Sequence, residues 1–215
     1  GEDAIRRLSD PASGVSSHYV VGADGQVYRL VNEDKRAWHA GNSFWDGHSD
    51  LNTTSVGIEI DNDGTSPYPA VQMQALTALS LEIIKRHKIK AAYVIGHSDI
   101  APDRKQDPGA HFDWKALAAS GIGIWPVPTQ ADYSKSAAWG GKDVADNLVK
   151  LGFKSGNTLS ILVTAFQRHF QPEVFNGKGK VGTADGETRG RIACLLRRKA
   201  ISDGVRASKG KKKNK

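Results

Sequence analysis

The chain has 215 residues, with 30 Lys and Arg against 23 Asp and Glu, 39% apolar residues and a single cysteine, Cys194. That length allows one domain or two modest ones. No uncharged apolar run approaches the roughly 18 residues that cross a bilayer, and one cysteine excludes an internal disulfide or a cysteine-rich zinc module.

Six basic residues and no acidic one follow Gly204, so most of the net charge of +7 sits there and the rest of the chain is close to neutral. A lysine run without apolar residues reads as a solvated tail, placed at 203–215. With no aromatic residues interleaved among the lysines, no nucleic-acid partner is expected. Gly1 to Leu8 lacks the apolar core of a signal peptide, and the expectation is that a segment lies upstream of it.

Residues 3 to 8 fit the end of a short helix, and Ser9 to Gly14 a loop. Val15 to Val21 and Gln26 to Val31 are rich in β-branched and aromatic residues, with Ala23-Asp24-Gly25 between them, which predicts a hairpin. Asn32 to Asn52 carries Trp38, His39, Gly41, Trp45 and His48 without a period of either kind, the mark of a long functional loop. Ser55-Val56-Gly57-Ile58-Glu59-Ile60 reads as a short strand. Prolines 67 and 69 break the chain, and Leu76, Leu79, Ile83 and Ile84 recur at helical spacing to about His87. Tyr93 to His97 reads as a second buried strand, giving a βαβ unit and a sheet that is at least partly parallel. The fold class is therefore α/β, a mixed central sheet flanked by helices over 1–128. A polar linker is expected at 129–140. A small three-helix domain follows at 141–202, with helices around Val144 to Leu151, Leu159 to Phe170 and Ile192 to Leu196.

Four groups carry candidate chemistry. Glu59, in an apolar strand, must face a cleft, a cation or a proton, or else be a partly solvated strand carboxylate. His97 sits at a strand end, where catalytic groups are delivered, or is a core histidine with a backbone partner. Asp107 precedes Pro108-Gly109 and could cap a turn. Together, His97 and Asp107 suit a mononuclear zinc site with N and O ligands, which needs one more ligand and an open position. Lys105 would then point a cation at a developing oxyanion, and Glu59 would take a proton from water. That is metal-assisted hydrolysis of an amide or ester.

At these residues the chain resembles the zinc-dependent N-acetylmuramoyl-L-alanine amidases of the amidase_2 family. The matching segments are Val15 to Tyr19, Arg36-Ala37-Trp38-His39-Ala40-Gly41, Leu51 to Glu59, and Gly96-His97-Ser98-Asp99 through Lys105-Gln106-Asp107-Pro108-Gly109. The second half is similar to a three-helix peptidoglycan-binding module, through Thr164-Ala165-Phe166-Gln167-Arg168-His169-Phe170. That pairing favours the AmiD-like branch and implies the cell envelope: the periplasm, with a lipid anchor to the outer membrane carried upstream. The resemblance implies His97 and Asp107 as zinc ligands, Glu59 as general base and Lys105 as oxyanion stabiliser. It also implies substrate contacts from Trp38, His39 and Asn52, peptidoglycan or muropeptides as partner, and a monomer. The bond cut would join N-acetylmuramic acid to the L-alanine of the stem peptide.

The family's first zinc ligand is a histidine on an opening strand, and no histidine precedes Val15. An upstream strand is the expected source, with His18 as a substitute. A non-catalytic peptidoglycan-recognition protein that has lost this ligand is the alternative function. Asp50 stands where the resemblance places a substrate-binding arginine.

Overall fold

The computed structural model describes residues 2–211. The chain divides into two compact units, Gly1–Ile124 and Trp125–Lys215.

The first unit begins with helix α1 (Glu2–Ser9) and one 3-10 turn (Pro11–Ser13) closed by Gly14 in the left-handed region. Strands β1 (Tyr19–Val21) and β2 (Val27–Arg29) form the expected hairpin, paired antiparallel with Val20 opposite Tyr28. Gly25 supplies the positive φ of 82° at its turn. After the long loop and the short helix α2 (Leu51–Thr54), strand β3 (Ile58–Ile60) lies parallel to β1 on its other side, with Glu59 opposite Val20. The sheet order β2-β1-β3 makes it mixed. β1 is buried throughout, whereas β2 is exposed.

Helix α3 (Ala70–His87) packs on β1. It starts just after Pro69 and ends at Lys88, which takes the left-handed conformation and returns its N–H to the Ile84 carbonyl. Leu76 and Ile83 face the core. Gln72, fully buried, donates from Nε2 to the carbonyls of Val21 and Asp61 at 3.0 and 2.9 Å, tying together the ends of the two parallel strands.

The predicted strand at Tyr93 to His97 is not formed. Ala91–Tyr93 is a 3-10 turn, Val94 is extended without a ladder partner among the described residues, and His97 opens the short helix α4 (His97–Ile100). A strand needs a neighbour to satisfy its backbone groups. Here the Asp99 carboxylate accepts from the Gly96 N–H at 2.8 Å and turns the chain into a helix instead. The parallel pair is thus β1 with β3, joined by hairpin and loop rather than by α3. Helix α5 (Trp114–Ala119), capped by the Asp113 carboxylate on the Ala116 N–H, completes the unit.

The second unit holds four α-helices among its described residues, α6 (Gln130–Ser136), α7 (Gly141–Leu151), α8 (Leu159–Phe170) and α9 (Gly186–Lys211), with a 3-10 turn at Pro172–Asn176. The last three α-helices are those expected. The first corrects the linker predicted at 129–140. Thr129 Oγ1 caps the Asp132 N–H while the Asp132 carboxylate accepts from the Thr129 N–H, a reciprocal cap at the helix start. Asp132 is buried and receives two hydrogen bonds from Arg197 of α9, at 2.9 and 2.8 Å. Those bonds hold its carboxyl well below the usual carboxylate range. The basic tail predicted at 203–215 is helical backbone as far as Lys211, and residues 212–215 lie outside the described residues.

Phe153, Leu162, Phe166 and Ile192 fill the core of this unit. Gln167 is buried beside Phe166 and acts as a bracket. Its Oε1 accepts from the Gly182 N–H at 2.8 Å, and its Nε2 donates to the Thr183 carbonyl at 3.0 Å and to Thr188 Oγ1 at 3.2 Å. Arg191 joins Glu187 and Glu173 at 2.6 Å each.

Candidate active site

Glu59 projects from the middle of β3, half-buried. Burial pushes its carboxyl above the ordinary glutamate value, and the negative charge of Asp107 adds to the effect. The positive charges of His97, Lys105 and Arg7 act in the opposite direction. The strand and the loop after α4 therefore bring Glu59, His97, Lys105 and Asp107 into one electrostatic cluster.

His97 is the first residue of α4, its side chain 15% exposed. Nδ1 lies 3.0 Å from Asp107 Oδ2 and Nε2 lies 3.2 Å from the Ala40 carbonyl. The Ser98 N–H donates to the Asp107 carbonyl at 2.9 Å, which clamps the returning loop against the helix start. Burial works against charge at Asp107, but the hydrogen bond and charge of His97 hold its carboxyl below the usual value.

An imidazole nitrogen and a carboxylate oxygen 3.0 Å apart are within reach of a single ion with bonds of roughly 2.0–2.2 Å, and N and O donors suit zinc. Among the described residues no group of three His, Cys, Asp or Glu side chains surrounds such a position. His18 does not supply the third. It is buried, its Nδ1 accepts from the Gly57 N–H at 3.0 Å, and Nε2 lies 3.0 Å from the Lys35 carbonyl. With both nitrogens bound to backbone it has no lone pair left to offer.

His39 is half-buried, its ring edge-on to His18 at 5.4 Å between centroids. Burial, with the charges of His18 and His97, pushes its pKa down to about 4, so it is neutral at pH 7. Its Nε2 is 2.9 Å from Ser55 Oγ, and its ring lies against Gly57, where any Cβ would overlap it. Trp38 stands out at 54% exposure, with the Arg36 guanidinium 4.2 Å above its ring. Arg36 also pairs with Asp50 at 2.7 Å, so a guanidinium is held beside the position where the resemblance places a substrate-binding arginine.

Asn52, expected at the substrate, is instead 5% exposed, and its Oδ1 accepts from the Ala40 N–H at 2.7 Å. That bond braces the loop at Ala40. Sequence reasoning missed Arg104, whose guanidinium donates to the Ala40 and Asn42 carbonyls. Its only signal in the sequence is its place beside Lys105.

The family model for N-acetylmuramoyl-L-alanine amidase, Amidase_2, matches residues 1–110. N-acetylmuramoyl-L-alanine amidase AmiD of Escherichia coli K12 is 37% identical over 221 residues, covering 91% of this chain and 78% of that protein. The 1,6-anhydro-N-acetylmuramyl-L-alanine amidase AmpD of Enterobacter cloacae is 43% identical over 105 residues, 49% of this chain and 56% of that one. The structure is similar, with a TM-score of 0.80 and 35% identity, to that of E. coli AmiD in complex with anhydro-N-acetylmuramic acid-L-Ala-D-γ-Glu-L-Lys, covering 92% of this chain and 84% of that one.

Proposed function

The chain belongs to the Amidase_2 family of N-acetylmuramoyl-L-alanine amidases, and from that membership we propose that it cuts the amide between the lactyl carbonyl of N-acetylmuramic acid and L-alanine, in peptidoglycan or muropeptides, with zinc held by His97 and Asp107. The observation that carries this reading is Glu59, a half-buried carboxylate beside Asp107, His97 and Lys105. A bound zinc supplies Lewis-acid polarisation of the carbonyl and acidifies water at the site.

Glu59 takes the proton from the attacking water, whose oxygen bonds to the carbonyl carbon. A carboxyl made more basic by burial is suited to that task. Lys105 stabilises the negative charge that develops on the carbonyl oxygen. When the C–N bond breaks, Glu59 returns the proton to the alanine nitrogen, releasing a free amine and a lactyl carboxylic acid that loses its remaining proton to solvent. Trp38 offers an exposed aromatic face to substrate, and the neighbouring His39, neutral at pH 7, is close enough to His97 to feel its charge.

The second unit serves as a peptidoglycan-binding module, and the working compartment is the bacterial envelope. What supports this is the relative that matches along both units, AmiD, against AmpD, which matches only half of the chain. No helix among the described residues is long and apolar enough to cross a membrane.

The test incubates the chain with anhydro-N-acetylmuramic acid-L-Ala-D-γ-Glu-L-Lys and follows release of the free tripeptide by mass spectrometry, with added zinc and with a chelator. Cleavage that needs zinc and falls by about 10²–10⁴ in Glu59→Gln, with metal content unchanged, is expected. Full activity in Glu59→Gln would remove that residue from the mechanism. Cleavage indifferent to chelation would remove the metal.

A further inference from the structure

The backbone of Ala40 is held on both its N–H and its carbonyl by the side chains of Asn52, His97 and Arg104. Its N–H donates to Asn52 Oδ1 at 2.7 Å, and its carbonyl accepts from Arg104 Nη2 at 2.7 Å while His97 Nε2 lies 3.2 Å from the same oxygen. Arg104 also donates to the Asn42 carbonyl, from Nε at 3.0 Å and from Nη2 at 2.6 Å. Gly41, between the two carbonyls, has φ +58°, and a Cβ there would lie 3.0 Å from Arg104 Nη2, so the loop rests directly on the guanidinium.

A planar fork with several donors can hold two carbonyls at once, which a lysine ammonium cannot do with the same geometry. The N–H groups of Arg104 and Lys105 both turn back onto the Ala101 carbonyl. The clamp on residues 40–42 thereby joins the loop bearing Trp38 and His39 to the loop bearing Lys105 and Asp107. A ligating histidine that donates its other ring N–H to a backbone carbonyl keeps a defined tautomer and ring orientation. For His97 that carbonyl is Ala40's, and Arg104 determines where it stands.

We propose that Arg104 is a positioning residue of the active site: through the Ala40 carbonyl it orients the His97 imidazole so that Nδ1 faces Asp107. The proposal rests on the reading of His97 and Asp107 as the metal pair. Its test uses the full chain and two variants, Arg104→Met and Arg104→Lys, with two measurements that involve no substrate. Amide hydrogen exchange in the metal-free protein compares Ala40 with Val20 in the buried strand. Zinc alone, in competition with a chromophoric chelator, gives the dissociation constant.

Both variants are expected to exchange Ala40 at least about tenfold faster while Val20 is unchanged, the signature of local rather than global loosening. Zinc affinity is expected to fall by about 10–100-fold in Arg104→Met and by less in Arg104→Lys. Unchanged exchange at Ala40, or zinc affinity within about twofold of wild type, overturns the proposal. If Arg104→Met does not fold, Arg104→Lys, which keeps the stem and the charge, decides on the same criteria. A wild-type chain that takes up no zinc would instead defeat the metal assignment, and the Ala40 exchange would then decide alone whether Arg104 holds this peptide.

Discussion

The Glu33 carboxylate receives two hydrogen bonds from the Arg86 guanidinium, at 2.7 and 3.1 Å, across 53 positions of sequence. Tyr19 at the start of β1 and His87 at the end of α3 close on the same carboxylate. One side chain in the loop after β2 therefore fastens the central strand to the helix that covers it.

The bonds from Arg86, with those of Tyr19 and His87, lower the Glu33 pKa from 4.5 to about 2. A group depressed in the folded state adds stability above its unfolded pKa and loses it as pH falls through the folded value. Thermal unfolding from pH 7 to pH 2 checks this. The Tm of wild type should exceed that of Glu33→Gln by a constant margin above the unfolded value of 4.5, and the margin should close between there and about 2.

Lys105 and Asp107 are two residues apart but are assigned different work, so their variants should fail differently. Lys105→Ala should lower kcat by about 10²–10³ with little change in KM, as loss of an oxyanion donor does. Asp107→Ala should release zinc during dialysis, measured by atomic absorption, while Lys105→Ala keeps it. Equal metal content in the two variants would make Asp107 a turn residue only.

Gly57→Ala tests the packing behind the site. The added methyl overlaps the His39 ring, a rigid neighbour, and the Gly57 N–H also holds His18 Nδ1. Over-packing of this kind costs about 1–3 kcal/mol. Urea unfolding should show that loss, and kcat/KM should fall with it because the displaced ring interacts electrostatically with His97.

Gln167→Leu removes the bracket in the second unit at nearly constant volume. Each buried backbone or hydroxyl group left without its partner costs on the order of 1–3 kcal/mol. The variant should unfold at lower urea concentration, and its pelleting with insoluble peptidoglycan should weaken, while cleavage of a soluble muropeptide stays near wild type. Parallel loss of both activities would mean that the second unit serves catalysis and not anchorage.

The hairpin, β3 and α3 were legible because each combines a hydrophobic period with a nearby breaker; the mixed sheet was expected from a βαβ unit through Tyr93 to His97 and is made instead by β3 lying parallel to β1. The segment from Tyr93 to His97 was not, because its β-branched residues describe a strand only when a neighbour is present to pair with it. Thr129 and Asp132 carried a helix-start signal within a stretch otherwise read as polar linker. In the proposed site, Glu59, His97, Lys105 and Asp107 drew attention in the sequence as side chains with chemistry of their own, and the structure sets His97 against Asp107. Arg104, Asn52 and Gly57 act on backbone groups or by leaving space, and such roles leave no pattern of residue types along the chain.

The pairing of Val20 with Glu59 across parallel strands has a consequence for how damage to this protein would look. Successive residues of a strand face opposite ways, so a slip of one position would turn the Glu59 carboxylate to the other side of the sheet with every element still in place. Substitutions at Val20 or Val21, fully buried and without chemistry of their own, could thus silence the enzyme while it still folds.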